Sequence, residues 1–202
     1  MTVSVHHNDL PAGLDFGPVV AVDTETLGLK HKRDRLCVVQ LSSGDGDAHL
    51  VTFDGSDYSA PNLRALMADK NVLKLFHFAR FDIAAISQYL GVVCAPVYCT
   101  KLASKLARTY TDHHSLKTLC RELAGVELDK QQQTTDWGNL PLSDAQIAYA
   151  ASDVLYLHKI KAVLDDLIAR EGREALLQSC LDFLPSRAML DLAGWEGDIF
   201  EH

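Results

Sequence analysis

Residues 18–29 read PVVAVDTETLGL, a β-branched apolar run that ends in two carboxylates, Asp23 and Glu25. Gly17-Pro18 bounds the run, and its composition predicts a buried strand over 18–23. Along a strand, residues i and i+2 face the same way, so Asp23 and Glu25 project together where the strand leaves the core. Carboxylates so placed repel each other, and each loses hydration. A divalent cation between them would offset both costs, and hard carboxylate oxygens suit Mg²⁺ or Mn²⁺. An Asp-x-Glu triplet alone is a common feature of exposed strand ends, so a metal site would need partners elsewhere in the chain.

Working outward, residues 35–42 (RLCVVQLS) read as a second strand and 48–53 (AHLVTF) as a third, joined by the hairpin turn Gly44-Asp45-Gly46-Asp47. These three strands form a meander. Pro61 is near the start of a short helix ending near Lys70, and 72–77 (VLKLFH) is a fourth strand. A helix from about 78 to 90 stops at Gly91, and 97–99 (VYC) is a short fifth strand. From about residue 100 the chain is mostly helical. Its strongest helix covers 144–170: Ser143 and Gln146 make a capping-box pattern, apolar residues recur at 147, 151, 154, 155, 157 and 160, and Gly172 is the stop. The order of elements predicts a mixed α/β domain with its sheet covered on both faces. No repeat, low-complexity segment or Gly/Ser-rich linker divides it. One domain over 1–202 is expected, with a helical, apolar tail from about 172 to 202.

Composition excludes several classes. The chain has 202 residues, 48% hydrophobic and 23% charged, ordinary for a soluble globular protein, and no apolar stretch approaches a membrane span. The beginning, MTVSVHHNDLPAG, lacks a basic region followed by an apolar core, so no secretory signal is read there. Five cysteines, at 37, 94, 99, 120 and 180, form no C-x-x-C pair. Reduced thiols in a cytoplasmic protein are therefore expected, rather than a disulfide framework or zinc site. A net charge of −8 argues against broad electrostatic binding of long nucleic acid. Residues 101–121 nevertheless hold five Lys/Arg against one Asp, a local balance of +4, leaving −12 for the remainder. A basic face on an acidic protein suits a small anion held at one place. A solvated helix face is the alternative, and charge alone favours it.

Two further carboxylates stand out. Asp82, in LFHFARFD, falls in the first turn of the helix after the fourth strand, where an Asp commonly stabilises the helix N-terminus. Asp153, in IAYAASDVLYL, lies on an otherwise apolar helix face. A buried, unpaired carboxylate there would cost several kcal/mol. Tyr149 is four residues earlier on that face, where a core aromatic is the plain alternative.

The series DTE, a strand–helix carrying Asp, and a late Y-x-x-x-D resembles the DEDD superfamily of 3′→5′ exonucleases in its tyrosine-containing branch. SLKTLCRELAGVELDK (115–130), QQQTTDW (131–137) and PLSDAQIAYAASDVLYL (141–157) extend the likeness to the ribonuclease D type. It covers roughly residues 15–170. KRDRLCVVQLS after the first motif, VYCTKLASKLARTYTDHH and the tail DFLPSRAMLDLAGW resemble the bacterial nano-RNase C family. Ribonuclease D carries extra C-terminal helical domains for structured RNA, whereas this chain stops soon after the exonuclease part.

The resemblance implies an RNase H-like fold, in which parallel strands extend the antiparallel meander between flanking helices. It also implies two divalent cations, Mg²⁺ or Mn²⁺. Asp23, Glu25 and Asp153 would hold one, and Asp23 would bridge to a second near Asp82. Tyr149 would orient the attacking water. Leu27 would contact the terminal bases, His77 the substrate, and Lys101, Lys105 and Arg108, spaced as one helix face, a terminal phosphate. Trp137 would offer a base platform beside Gln131-Gln132-Gln133. The implied activity is a 3′→5′ exoribonuclease acting on very short single-stranded RNA, down to dinucleotides, and releasing mononucleotides. A ring-like homo-oligomer is implied too, an octamer being one such ring, with the apolar residues of 181–200 as a candidate subunit contact. A broader ribonuclease D-like exonuclease on tRNA precursors or DNA is the first alternative; the missing helical domains count against the tRNA role. A noncatalytic nucleic-acid-binding scaffold is the second, and the presence of all four acidic residues and the tyrosine opposes it. A hydrolase of nonnucleotide phosphate esters is a third. Neither a P-loop nor an H-E-x-x-H is present.

Overall fold

The structure is a computed structural model, and it describes residues 2–129, 132, 134–195 and 197–201. Six strands form one sheet in the order β1-β4-β3-β2-β5-β6: β1 Val3–His7, β2 Val19–Thr26, β3 Leu36–Ser42, β4 Ala48–Thr52, β5 Leu73–Phe76 and β6 Val97–Cys99. The meander is present, with β2, β3 and β4 antiparallel and the tight turn between β3 and β4. Gly44 and Gly46 take φ of 82° and 94° in that turn, and Asp45 caps the backbone N–H of Asp47. β5 joins β2 in parallel, and β6 joins β5 in parallel. The fold is thus the expected mixed sheet.

Several boundaries differ from the sequence reading. β1, which went unread, adds in parallel to the free edge of β4. β2 extends to Thr26, so Asp23 and Glu25 lie within the pairing ladder rather than beyond it. The register shifts between Glu25 and Thr26: Glu25 faces Val38, Thr26 faces Leu36, and Cys37 is bulged out. A bulge bends the strand that carries it, here β3 opposite the end of β2 that holds Glu25.

All seven residues of β3 are buried, as expected of a strand covered on both sides. One cover is α5 (Asp144–Leu155), which crosses β1 to β4. The other is α2 (Ala79–Leu90), beneath β2 and β5, backed by α7 (Glu174–Ala193). The shorter helices are α1 (Pro61–Ala68), α3 (Thr100–Ala107) and α4 (Leu116–Leu119), the last running into a π-helical turn, Cys120–Ala124. The capping box at Ser143 and Gln146 starts α5 as expected. The single helix read over 144–170 is two, because Tyr156, distorted to φ −104°, ψ −4°, caps α5 and α6 (Leu157–Arg170) starts anew. Apolar periodicity continues through that break, which is why the sequence hides it.

α7 is fastened to the start of α2 by charge. Arg80 on α2 donates two hydrogen bonds of 2.6 Å to Asp191, which also accepts one of 2.7 Å from Arg187. Among the described residues no disulfide forms, and no helix is long and apolar enough to cross a membrane.

Candidate active site

The pleat of β2 divides its side chains between the two helical layers. Asp23 and Glu25 point toward α5, where Asp153 faces them. One oxygen from each of the three carboxylates falls within a set whose members all lie within 4.8 Å of one another. Thr24 points the other way, toward α2, and its hydroxyl donates to Asp82 at 2.6 Å. Asp82 is 4% exposed and stands outside the three-carboxylate set, yet lines the same crevice. The geometry brings together all four acidic residues singled out in the sequence, along with Tyr149.

Packing like charges in a half-enclosed site raises their proton affinity. Burial, then Asp82, Asp153 and Glu25, hold Asp23 well above the ordinary carboxylate range. Burial, then Asp153 and Asp82, push Glu25 up to about 9. Burial raises Asp82 to about 7 even though the Thr24 hydroxyl opposes the shift. Such a set suits a divalent cation: the donors are all hard oxygens, and a cation would reverse the repulsion that favours protonation.

This electrostatics has a pH signature. Glu25 and Asp82 titrate higher in the folded chain than in the unfolded one, near about 4. The folded metal-free protein therefore holds extra protons, and their contribution to stability fades as pH rises through 7 and 9. The melting temperature in Mg²⁺ minus that in excess chelator is expected to widen steadily from pH 6.5 to 9.5. A gap constant across that range would show that the carboxylates do not titrate in this way.

Tyr149 lines the crevice with Asp153, whose charge acts on its hydroxyl, and its ring packs against Trp137 at 5.9 Å between centroids. Burial and the neighbouring carboxylates push the phenol further up, so it keeps its proton. Trp137 borders the crevice but is only 2% exposed, its ring tilted at 40° against Tyr149. It therefore does not offer an open base platform in this structure, and instead supports the tyrosine. The loop that carries it is fastened by the Gln146 side-chain amide, which donates to Thr135 Oγ1 and Asp136 O, and by Arg35, which donates to Gly138 O. Gln131 and Gln133 lie outside the described residues.

The remaining sequence candidates separate into two groups. Leu27, His77 and Lys101 line the crevice, a cavity of about 680 Å³. Leu27 is half exposed and packs over Gly138, where a Cβ would meet its Cδ2 at 2.7 Å. His77 is oriented by Thr100, whose hydroxyl donates to Phe76 O and accepts from His77 Nδ1 at 2.9 Å. Lys105 and Arg108 are not at the crevice wall. The shared helix face assumed for them ends with α3 at Ala107; Lys105 points to solvent, while Arg108 turns inward to 2% exposure. Arg108 pairs with Glu122 and donates to His113 O. Its charge braces the 108–122 segment instead of facing a ligand. Sequence reasoning missed Thr24, Phe78, Phe81 and Ser115, which also line the crevice. The alternation of β2 could have assigned Thr24 to the Asp82 side; the others depend on tertiary packing.

Residues 6–169 match the 3′-5′ exonuclease family. Ribonuclease D of Acidiphilium cryptum is 39% identical over 156 residues, covering 77% of this chain and 39% of that protein. The chain spans about two fifths of the length of the ribonuclease D proteins it matches. The structure of Brucella melitensis NrnC with bound Mg²⁺ superposes with a TM-score of 0.96 at 50% identity, covering 100% of both chains. The structure of Brucella melitensis NrnC bound to pGG gives 0.97 at 51%, covering 100% of this chain and 99% of that one. Sequence, fold and the acidic crevice thus agree, and the chain belongs to the DEDD superfamily of 3′→5′ exonucleases, in the tyrosine-containing, ribonuclease D-like branch that includes nano-RNase C.

Proposed function

We propose that this protein is a divalent-metal-dependent 3′→5′ exoribonuclease that degrades very short RNA, dinucleotides included, to nucleoside 5′-monophosphates. The observation that carries this reading is the convergence of Asp23, Glu25 and Asp153 within 4.8 Å, with Tyr149 in the same crevice. The length preference is supported by Brucella NrnC, half identical to this chain and solved with pGG, and the metal by its structure with Mg²⁺.

Asp23, Glu25 and Asp153 would hold one cation, with Asp82 beside Asp23 available to a second. Bound there, the metals would neutralise charge on the phosphate and acidify a water. The chain's own residues account for the rest. Tyr149 stays a neutral phenol and orients a water by hydrogen bonding, with Asp153 and the Trp137 ring setting its position. Leu27, exposed at the crevice, offers an apolar surface to the terminal bases. His77 and Lys101 line the same wall, where they would donate to phosphate oxygens.

The test uses end-labelled RNAs of two to twenty nucleotides, and matched DNAs, with Mg²⁺, Mn²⁺ or chelator. Preferential metal-dependent loss of the dinucleotide is the expected result. Equal processing of long RNA would replace this reading with the broader ribonuclease D-like one, and absence of metal-dependent mononucleotide release would leave a binding scaffold. A homo-oligomer is part of the same proposal: Trp195 and Phe200 are more than 60% exposed, an apolar surface that a second copy would cover. Light scattering on the purified protein measures the mass, and a monomer would overturn that part.

A further inference from the structure

Phe78 occupies a position where neither folding nor the acidic site calls for an aromatic ring. It is the N-cap of α2, at φ 69° and ψ 41°. Left-handed backbone of this kind favours glycine or asparagine, and a bulky residue there is strained. The core gains little in return, because the ring is 50% exposed. Strain retained beside a reactive site is usually tied to what the site does.

Its surroundings suggest what that is. The Phe78 ring lines the acidic crevice and also a second cavity of about 550 Å³ that adjoins it. Leu29 and Phe81 are shared by the two as well, and Lys30, Lys32 and the ion-paired Arg80 and Asp191 line the second. The Lys101 ammonium stands 4.0 Å from the ring centroid, a cation–π contact that steadies one face. A half-exposed aromatic beside a phosphodiester-cleaving site, with cationic residues along the adjoining cavity, has the chemistry of a stacking surface for single-stranded nucleic acid. Trp137, the aromatic that the sequence favours for this purpose, is covered.

We propose that Phe78 is a nucleobase platform, stacking on one base of the bound oligonucleotide at the boundary between the acidic crevice and the second cavity, with Lys101 fixing the ring. The proposal rests on the exoribonuclease reading and adds to it a base-binding residue and a rule of specificity. Every base has a π-face, so the platform requires that a base be present at one position and is tolerant of which base it is.

The probes are the dinucleotide pApA and two analogues, each lacking the base at one of the two positions. Phe78→Asn removes the ring while tolerating the left-handed backbone, so it is expected to melt no lower than the wild type. Phe78→Leu keeps an apolar side chain in case the first variant folds poorly. For pApA, KM is expected to rise about tenfold or more in both variants, with kcat within about threefold of wild type. On one of the two base-lacking analogues, wild type and variants should become equal. An unchanged KM on pApA would overturn the proposal, as would an equal loss on pApA and both analogues, which would mean that the ring acts through packing. Calorimetric binding of the same three probes to Mg²⁺-loaded protein reads the platform without turnover. Failure of wild-type hydrolysis and failure of Phe78-dependent base binding are therefore scored separately.

Discussion

Asp153→Asn is expected to reduce kcat by about 10³-fold while making the metal-free protein more resistant to heat. The two effects have opposite signs for one reason. Asp153 contributes an oxygen to the three-carboxylate set, and its charge also raises the proton affinity of Asp23, Glu25 and Asp82. Asparagine preserves the shape but removes the charge. Losing a ligand's share of charge stabilisation, several kcal/mol, corresponds to about three orders of magnitude in rate. In chelator at pH 8–9, relief of repulsion should raise the melting temperature above that of wild type. Calorimetric titration should show Mg²⁺ binding weakened in parallel with kcat. Wild-type Mg²⁺ affinity in this variant would remove Asp153 from the metal site.

Tyr149→Phe should separate chemistry from metal binding. The expected loss is on the order of 10²–10⁴ in kcat, the usual contribution of a positioned proton-handling group, with Mg²⁺ affinity unchanged. Burial and three nearby carboxylates keep the phenol protonated, so its role is orientation through the neutral hydroxyl. The wild-type rate profile should then show no alkaline limb assignable to phenolate formation below about pH 10. Phenylalanine fills the same space against Trp137 and loses only the hydroxyl. Single-turnover rates near wild type in this variant would show that another group orients the water.

Much of this arrangement is legible in the amino-acid order because it depends on local periodicity. The meander follows from three β-branched runs and a Gly-Asp turn, and the shared face of Asp23 and Glu25 follows from the two-residue repeat of a strand. Tyr149 and Asp153 follow from the four-residue repeat of a helix with a capping box at its start. What escaped depends on contacts between distant segments. VSVHH becomes β1 only because the edge of β4 is there to pair with it. Arg108 reads as the third cation of a helix face, but α3 ends one residue earlier, and Glu122 draws the guanidinium inward. Trp137 reads as a polar-loop aromatic open to bases, yet Tyr149 takes one side of its ring. Phe78 looks like one more apolar residue in LFHFARFD; only its backbone angles and exposure set it apart.

The division of labour along β2 limits how this chain can change. Odd-numbered acids serve one layer and the even-numbered threonine serves the other. Gain or loss of a single residue before Asp23 within 19–26 would exchange the two sides at once, turning Asp23 and Glu25 toward α2 and stranding Asp82 without its hydroxyl partner. The turn at 43–47 lies outside that parity and away from the crevice, and can lengthen, whereas 27–29 line the crevice. A frame-preserving indel scan should therefore find an intolerant window running from β2 through 29 and a permissive one at 43–47.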